Sequence, residues 1–379
     1  MTAKCHLLIL AALVGGVFSR NALPQVQMSV NYQYANLAYP GALLTLPNAI
    51  NNGGMVVGSY FDSSSNQHGF LFRDGKFYSI DVPGATATEA MGINDFGDIV
   101  GDYQLPGPLN FHGFIRHRGE FSRLDDPNAG FGTKALAINN SGVIVGSYDD
   151  AHGYIYRNGQ FKTYDAPQLT GETPNTQLNG ISNLGWIAGQ VFTGGIWRGF
   201  WIAGGDFGFL ESARGVDSEV TAINSHGDIV GCHDSNSGFI SFGLERKEAK
   251  QGVAEPFPMQ HRLASCTTGI NYARAIVGVY FTVSRPYGFL AVPTITLIAS
   301  RPLDHSVQTN PVNLVATASG TLDITQIQVW VNYKQVFHVN GNNLNTTLTL
   351  PTGPNQRLVI QAVDSQHRTA KIVASVTVQ

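Results

Sequence analysis

Short runs of Val, Ile, Phe and Tyr alternate with turn residues along most of the chain, and the stretch GINDFGDIVGDY at residues 92–103 is typical. Its parts recur six times around an isoleucine that we call the register isoleucine, with a glycine always following at the same distance. A fixed period of roughly 40 residues indicates an array of supersecondary units, none of which can bury its faces alone. The register isoleucines are Ile50, Ile93, Ile138, Ile181, Ile223 and Ile270.

Within one unit the pattern predicts four short antiparallel strands. The first ends at Ile93, and in the N-D-F-G turn that follows, Asn94 can form an Asx turn and Gly97 can supply a positive φ. The segments DIVGDY, HGFIRH and FSRLD give the other three strands, each bounded by Gly, Asn, Asp or Pro. No segment of the repeat has the hydrophobic periodicity of a helix.

The two ends of the repeat region predict how the array is closed. The sixth unit has three strands but no fourth, whereas YANLAYPGA at residues 34–42 matches the fourth-strand segment FYSIDVPGA at residues 77–85. A strand from the N-terminal side that completes the last unit closes a ring, and an open, flat solenoid would have no use for it. We therefore predict an all-β chain in which residues 30–292 form a six-bladed β-propeller closed by an N-terminal strand.

The repeat period is lost in residues 294–379, where about seven strand-like segments follow one another. In one of them Ile327, Val329 and Val331 share a face, so that Trp330 lies on the polar face and is predicted to be partly exposed. This pattern predicts a second domain, a β-sandwich that covers residues 294–379.

Composition and charge limit the cellular locations and the classes of binding partner that we expect. Charged residues make up 13% of the chain, against about 25% in a typical domain, and the net charge is −3 without any basic run, so nothing favours nucleic acid. Residues 1–19 carry Lys4, an apolar stretch and a small-residue cleavage site, the pattern of a secretory signal peptide. No later segment is apolar enough to span a membrane. We expect a secreted or cell-surface protein, with the periplasm left open.

The segments GINDFGDIVG, HGFIR and LDDP resemble the HAF family of extracellular repeats, over most of residues 30–292. The tail is similar to bacterial Ig-like domains through the segments VWVN and VIQAVDS. What the resemblance implies is export, a repeat fold and an Ig-like β-sandwich at residues 294–379. The HAF family has no established activity, so it brings no catalytic residues. The chain departs from the repeat pattern at Ser182, Arg198 and Arg274, which loosens the symmetry of the ring.

One position of the repeat supplies the candidate ligand-binding residues. By analogy with WD40 propellers, the first strand of each unit lies nearest the axis, and the residue before each register isoleucine is always Ala or Gly, as crowding there would require. The fourth residue before the isoleucine varies and is expected at the channel mouth, on the face with variable loops, where binding usually lies. Solvated strand ends are the alternative reading. The candidates at this position are Glu89, Lys134, Gln177 and Glu219.

Histidines begin the third strand in three consecutive units, at His68, His112 and His152. Three imidazoles could bind zinc, but equivalent positions in neighbouring blades would be too far apart for zinc–nitrogen distances of about 2.0–2.1 Å. We therefore predict histidines with a structural hydrogen bond, and no metal site.

Few other residues indicate a metal-binding or catalytic site. Two polar loops, with Asp62 and Asn66 in one and Asp234 and Asn236 in the other, could hold calcium, although loop composition alone explains them. The sequence contains no HExxH, GxSxG or P-loop motif. We assign no catalytic residue and no cofactor.

The two cysteines that remain after signal-peptide removal, Cys232 and Cys266, are predicted to form a disulfide, because export leads to an oxidising compartment. A turn that pairs Ile223 with Asp228 puts Cys232 opposite Glu219, at the height of Cys266 in the next blade. The alternative is two unrelated free thiols.

Two classes of function remain. The first is an exported binding, adhesion or surface-scaffold protein that presents the variable-loop face of the propeller to a glycan or a cell-envelope polymer, as a monomer. The second is an extracellular hydrolase or lyase that acts on polysaccharide with acids near the channel, Glu89 and Glu219.

Overall fold

The structure, a computed structural model, describes residues 27–107, 111–167, 175–210, 218–233, 237–241, 264–283, 285–302 and 304–379. All regular secondary structure among these residues is β-strand. In this part of the chain there is accordingly no helix with the length and apolar character needed to cross a membrane. The described part of the protein is therefore all-β, as predicted, and consists of many small, mostly antiparallel sheets.

Each register isoleucine ends the first strand of a small antiparallel sheet, and we number these sheets one to six in chain order. The predicted fourth strand of sheet five would fall within residues 242–263, outside the described part of the chain. The strands are β1 (Gln27–Leu37); sheet one, β2 (Leu44–Ile50), β3 (Val56–Phe61), β4 (Gln67–Arg73) and β5 (Lys76–Ile80); sheet two, β6 (Ala87–Ile93), β7 (Ile99–Gln104), β8 (Phe111–His117) and β9 (Glu120–Arg123); sheet three, β10 (Thr133–Ile138), β11 (Ile144–Tyr148), β12 (His152–Arg157) and β13 (Gln160–Tyr164); sheet four, β14 (Thr176–Ile181), β15 (Ile187–Thr193), β16 (Ile196–Ala203) and β17 (Asp206–Phe209); sheet five, β18 (Ser218–Ile223), β19 (Ile229–His233) and β20 (Ser237–Ser241); and sheet six, β21 (Ala264–Ile270), β22 (Ile276–Phe281) and β23 (Pro286–Arg301).

The turn between the first and second strands is built as the sequence predicts. In sheet two, Oδ1 of Asn94 accepts hydrogen bonds from the backbone N–H groups of Phe96 and Asp98, at 3.0 and 2.9 Å. Gly97 has a φ of 82°, which an L side chain rarely adopts. The asparagine side chain thus fixes the hairpin, and glycine supplies its left-handed residue.

The constant glycine of the second strand makes room for an aromatic ring. A Cβ on Gly101 would collide with the backbone oxygen of Glu89 and would lie 2.9 Å from the ring of Phe114. The ring comes from the third strand of the same sheet and is fully buried. Equivalent buried aromatic residues in the other sheets are Phe70, Tyr154, Phe200, Phe239 and Phe289.

The six sheets contact one another in a cyclic order. The first strands β2, β6, β10, β14, β18 and β21 contact each other in sequence, and β21 also contacts β2. The small residues before the register isoleucines are the closest points. A Cβ on Gly269 of sheet six would lie 2.9 Å from the Cα of Ala49 in sheet one, and one on Gly92 would lie 2.8 Å from the Cα of Ala137. The predicted crowding of the first strands is therefore confirmed.

Strand β1 supplies sheet six with a strand from the N-terminal side. It pairs antiparallel with β23 from Leu37 opposite Gly288 to Gln27 opposite Ala299. Strand β23 itself is continuous through residues 292–294, where the sequence suggested the domain boundary. The β1–β23 ribbon therefore belongs to sheet six at one end and to the C-terminal region at the other.

The C-terminal region packs two sheets over one core. One sheet continues from β23 through β25 to β28, and the other has the order β24–β30–β29–β26–β27. Ile327, Val329 and Val331 are buried in the shared core, whereas Trp330 is partly exposed and donates from Nε1 to Oε1 of Gln328 at 3.3 Å, as the alternation predicts. The strands are β24 (Val307–Gln308), β25 (Val312–Gly320), β26 (Ile324–Val331), β27 (Lys334–Asn340), β28 (Asn343–Leu348), β29 (Gly353–Asp364) and β30 (Thr369–Val378).

Candidate functional site

The six first strands surround a central cavity of about 520 Å³. In every first strand the pairing register shifts at the residue two places before the register isoleucine, which forms a β-bulge. All six bulge residues line the cavity, in keeping with the tendency of bulges to redirect a side chain. The bulge residues are Asn48, Met91, Leu136, Asn179, Thr221 and Thr268.

The register isoleucines close one end of the cavity. All six line both the central cavity and a smaller space of about 70 Å³ among the turns that follow the first strands. Five of the six are buried, and Ile181 is partly buried. A ring of isoleucine side chains thus separates the central cavity from the turn side of the six sheets.

Sheets two, three and four give the cavity a polar wall. Glu89, Lys134 and Gln177 line it, and Asp102 of β7 joins them. Glu219 does not line the cavity, although it occupies the equivalent position in sheet five. The structure therefore brings together three of the four candidate residues and adds a carboxylic acid that the sequence analysis did not single out.

Glu89 is held by three neutral donors. Its Oε1 accepts from Nδ2 of Asn48 at 3.0 Å and from Oγ of Ser59 at 3.3 Å. Its Oε2 accepts from Nε2 of Gln67 at 3.2 Å. All three donors belong to sheet one, so these bonds fix the carboxylate in place across the junction of two sheets.

Asp102 is the unusual group of the wall. It lies directly opposite Glu89 in the β6–β7 pair and is only 7% exposed. Its carboxyl group has no hydrogen-bond partner among the residues that the structure describes. Burial and the neighbouring Glu89 raise the pKa of Asp102 to about 8, while Lys134 acts in the opposite direction. Burial and Glu89 thus disfavour the ionised form of Asp102.

The remaining polar residues of the wall have partners. Nζ of Lys134 lies 2.9 Å from Oδ1 of Asp150 and 4.5 Å from the ring centroid of Phe111, a distance at which a cation interacts with an aromatic face. Oε1 of Gln177 accepts from Nε2 of Gln190 at 3.0 Å. Lys134 is thus engaged before any ligand enters.

The polar bulge residues tie neighbouring sheets together. Asn48 donates to the carbonyl of Ala90 at 3.1 Å, and Thr268 donates to that of Pro47 at 2.7 Å, which links sheet six to sheet one. Met91 and Leu136 take the same place as apolar lining. Two further bonds of this kind run from Asn179 to Val220 and from Thr221 to Thr267. No common residue type marks this position, so the sequence analysis missed it.

The turn side carries a matching set of asparagine hydrogen bonds. The Nδ2 group of each turn asparagine donates to the backbone carbonyl of the next turn, as in Asn51 to Asn94 at 2.9 Å, and Asn271 donates to Asn51 at 3.0 Å. Ser182 interrupts this series because its side chain is too short. The other bonds of the series run from Asn94 to Asn139, from Asn139 to Ser182 and from Asn224 to Asn271.

Asp95 is the charged group of the turn side, and it is satisfied. Its carboxylate accepts from the backbone and the side chain of Asn52, both at 2.8 Å, and from Nδ2 of Asn140 at 2.6 Å. Burial alone would raise the pKa of Asp95, but hydrogen bonds from Asn140 and Asn52 outweigh it and lower the pKa. The polar residues of the turn side are therefore explained by the hydrogen bonds that they make with one another.

The three third-strand histidines are separate, and each bonds to an aspartate of its own sheet. His68 lies 2.9 Å from Asp81, and His112 lies 3.0 Å from Asp125. His152 makes the equivalent contact with Asp165, at 3.1 Å. The predicted hydrogen-bonded histidines are therefore confirmed. The described residues contain no group of three or more metal-ligating side chains.

The proposed calcium loops divide into two cases. The carboxylate of Asp62 is hydrogen-bonded within its own loop. It accepts hydrogen bonds from the backbone N–H groups of Ser64 and Asn66, at 2.8 and 2.9 Å, and from Nδ2 of Asn66 at 3.0 Å. These hydrogen bonds lower the pKa of Asp62 to about 2, and the bond from the Asn66 side chain has the largest effect. Asp234 and Asn236 lie outside the described residues.

A disulfide joins Cys232 and Cys266 across sheets five and six, with 5.2 Å between their Cα atoms. Cys232 lies opposite Glu219, as expected, although the route to that register differs. Ile223 pairs with Ile229 rather than Asp228, and the bulge at Thr221 absorbs the additional residue.

The fold and the site together define an all-β repeat protein with a polar central cavity. No protein-family model matches the chain, and no curated protein matches it either. Among solved structures, it is similar to a gluconolactonase from Xanthomonas campestris, with a TM-score of 0.41 and 11% identity, over 70% of this chain and 96% of that chain. It is also similar to the extracellular domain of a hybrid two-component system from B. thetaiotaomicron, with a TM-score of 0.37 and 9% identity, over 93% of this chain and 60% of that chain.

Proposed function

We propose that this chain is an exported binding protein in which residues 30–292 form a closed six-bladed β-propeller and residues 294–379 an Ig-like β-sandwich. The cyclic contacts of the six sheets support the propeller, and β1, paired with β23, would close it. The two sheets that share one C-terminal core support the sandwich. The same fold suits a member of the HAF repeat family.

We also propose that the protein works outside the cytoplasm, after removal of a signal peptide at residues 1–19. The disulfide between Cys232 and Cys266 supports this location, because such bonds persist in oxidising compartments. Native and reduced masses of protein purified from the exported fraction test it. A mass that corresponds to two free thiols, or a retained N-terminal segment, would contradict export as described.

The function of the propeller is to bind a polar ligand in the central cavity, and the ligand is a glycan or another cell-envelope polymer. The single observation that carries this proposal is Asp102, a buried carboxyl group that lines the cavity and has no partner among the described residues. A buried polar group without a hydrogen bond is costly, so it indicates a place for a ligand atom. The cavity volume lies within the range of about 300–1,000 Å³ that is typical of ligand sites.

A glycan and envelope-polymer array, probed with the purified chain, tests this function. We expect a small set of bound polymers, and we expect Asp102→Asn and Gln177→Ala to weaken the binding of that set. Asp74→Asn is the matched control, since Asp74 lies in the exposed hairpin turn between β4 and β5. No binding to any polymer by a folded, monomeric wild-type chain would refute the function.

An extracellular enzyme that acts on polysaccharide is the second candidate. The pair of carboxylic acids favours this candidate. Glycosidases use one protonated and one ionised carboxyl group, and Asp102, with its raised pKa, lies opposite Glu89. Glu219, which the sequence analysis paired with Glu89 for this role, does not line the cavity. Asp102 takes its place in the proposal, as the group that would protonate the leaving oxygen.

The array polymers also test the enzyme. If the chain is a hydrolase or lyase, bound polymers will be shortened over time, and Glu89→Gln and Asp102→Asn will each slow the release of product by about 10²–10⁴-fold. Bound polymers that keep their length after prolonged incubation would rule out this second function and leave the binding function in place.

A further inference from the structure

The ionisable side chains that line the central cavity include more acids than bases. Two of the lining side chains are acids, Glu89 and Asp102, and one is a base, Lys134. Nζ of Lys134 is already paired with Asp150 at 2.9 Å and lies over the ring of Phe111. Lys134 therefore cannot fully compensate both acids of the wall.

The two acids share one region of the cavity wall. Glu89 and Asp102 face each other directly across the β6–β7 pair, and residues in that relationship have Cβ atoms about 4.5–5.5 Å apart. The three groups that bond to Glu89 are neutral, from Asn48, Ser59 and Gln67. Asp102 has no hydrogen bond among the described residues, and it is more than nine-tenths buried. Within the part of the chain that the structure describes, neither acid has a cation as its direct partner.

We propose that the cavity is selective for a ligand that carries a protonated amine, namely an amino sugar whose nitrogen is free rather than acetylated, with the ammonium group bound between Glu89 and Asp102. This inference rests on the proposed ligand-binding function of the same cavity. An ammonium group offers three donors, so that one group can bond to both carboxyl groups at once. The amide nitrogen of Gln177, whose oxygen accepts from Gln190, is left to bond to a sugar hydroxyl.

Other ligand chemistries fit the wall less well. An anionic ligand would meet two acids and a lysine that is already engaged. A neutral sugar would offer no charge that holds Asp102 in its ionised form. An ammonium group instead favours the ionised form of Asp102, whose pKa is raised in the empty cavity by burial and by Glu89.

Calorimetric titration of the purified chain with a short glucosamine oligosaccharide and with its N-acetylated counterpart tests the inference. The two probes share their backbone and differ at the nitrogen alone. We expect the free-amine probe to bind at least about tenfold more tightly, since it makes a charge-assisted contact that the acetylated probe lacks. Asp102→Asn and Glu89→Gln are expected to remove most of that preference. Asp74→Asn, at an exposed turn, is expected to keep it.

The outcomes separate this inference from the binding function on which it rests. Equal affinity for the two probes would overturn the amine selectivity and leave ligand binding intact. A preference that survives in both Asp102→Asn and Glu89→Gln would overturn the placement between these residues. Failure of both probes, with other array polymers bound, would also overturn the inference, whereas an array without any bound polymer would refute the binding function itself. Thermal melting of each variant establishes that it is folded.

Discussion

At the scale of single residues, Asp102 and the small residues of the first strands explain most of the site. The position of Asp102 could have been predicted from the sequence. The register that sets Cys232 opposite Glu219 in sheet five also sets Asp102 opposite Glu89 in sheet two. The predicted ligand-binding residues all come from first strands, whereas Asp102 lies on a second strand. A carboxyl group on the second strand, opposite the candidate position of the first strand, is therefore as good a candidate for ligand binding as the four residues on the first strands.

The buried Asp102 makes a prediction about pH. Its pKa is raised to about 8 in the folded protein, so its contribution to stability is fully present below about pH 4 and is lost as the pH rises through about 8. Each unit of pKa difference corresponds to about 1.4 kcal/mol. We expect Asp102→Asn to gain stability relative to wild type between these limits, by several kcal/mol, in denaturant unfolding at a series of pH values. A difference between the two proteins that stays constant with pH would show that Asp102 is not buried as described.

Gly269 makes a prediction about the contact between sheets six and one. An alanine Cβ there would lie 2.9 Å from the Cα of Ala49 and 3.0 Å from Cγ2 of Val277, closer than side chains normally pack. We expect Gly269→Ala to lower the free energy of unfolding by about 1–3 kcal/mol, as over-packing of a core does. The control is Gly53→Ala, at an exposed turn where the new Cβ meets Asn51 at an ordinary 3.4 Å. Equal stability of the two variants in chemical denaturation would argue against a tight contact between these sheets.

Arg274 shows how the structure accommodates a departure from the repeat. It occupies the place of the turn glycine with a φ of 63°, which is uncommon for a residue with a side chain. Its Nε lies 2.8 Å from Oδ2 of Asp228, which is 1% exposed, so the side chain reaches across to the turn of sheet five and pairs with a buried acid. The residue that replaces the turn glycine thus links sheets five and six.

At the scale of elements, the sequence predicts strands and turns better than it predicts the cavity. The N-x-x-G turns are visible because asparagine and glycine each have a distinct conformational role. The strand from the N-terminal side is visible because YANLAYPGA matches the fourth-strand segment FYSIDVPGA of the first unit. The bulges are not visible, since the bulge residues range from Asn48 to Met91 to Thr268 and the backbone, not the side chain, decides the extra residue.

The change in sequence period near residues 292–294 does not coincide with the end of a strand. The loss of the repeat period after residue 292 is real, but hydrogen bonding does not follow it, because β23 runs on to Arg301 and keeps β1 as its partner. A change in sequence period marks where side-chain packing changes. It does not mark where a strand must end.

Strand β1 makes a prediction about assembly. Its residues Val30 and Leu37 are buried in two different cores, and its removal would expose the edge of β23. We expect a chain that begins at residue 38 to melt at a clearly lower temperature and to aggregate, since an unpaired edge is a template for other chains. A chain that begins at residue 27 is the control. If both remain monomeric in size-exclusion chromatography and melt alike, β1 does not stabilise sheet six.

At the scale of the whole molecule, three sets of contacts follow the same cyclic order. The small residues, the polar bulge residues and the turn asparagines each link one sheet to the next, and each set also links sheet six to sheet one. The links are incomplete where the repeat departs from its pattern, as at Ser182, Met91 and Leu136. The ionisable residues that line the cavity come from sheets two and three, whereas the disulfide joins sheets five and six.

If the cavity inside the six first strands is the ligand site, a bulky side chain placed in it will block binding. Leu136→Trp would fill part of the cavity without a change of charge, whereas Leu184→Trp makes the same substitution at an exposed turn, where the leucine is 61% exposed. The measurement is the affinity of wild type and both variants for whichever array polymer binds best. We predict that Leu136→Trp abolishes binding while it remains folded, and that Leu184→Trp binds as wild type does. Unchanged affinity in a folded Leu136→Trp variant would show that the polymer binds outside the cavity.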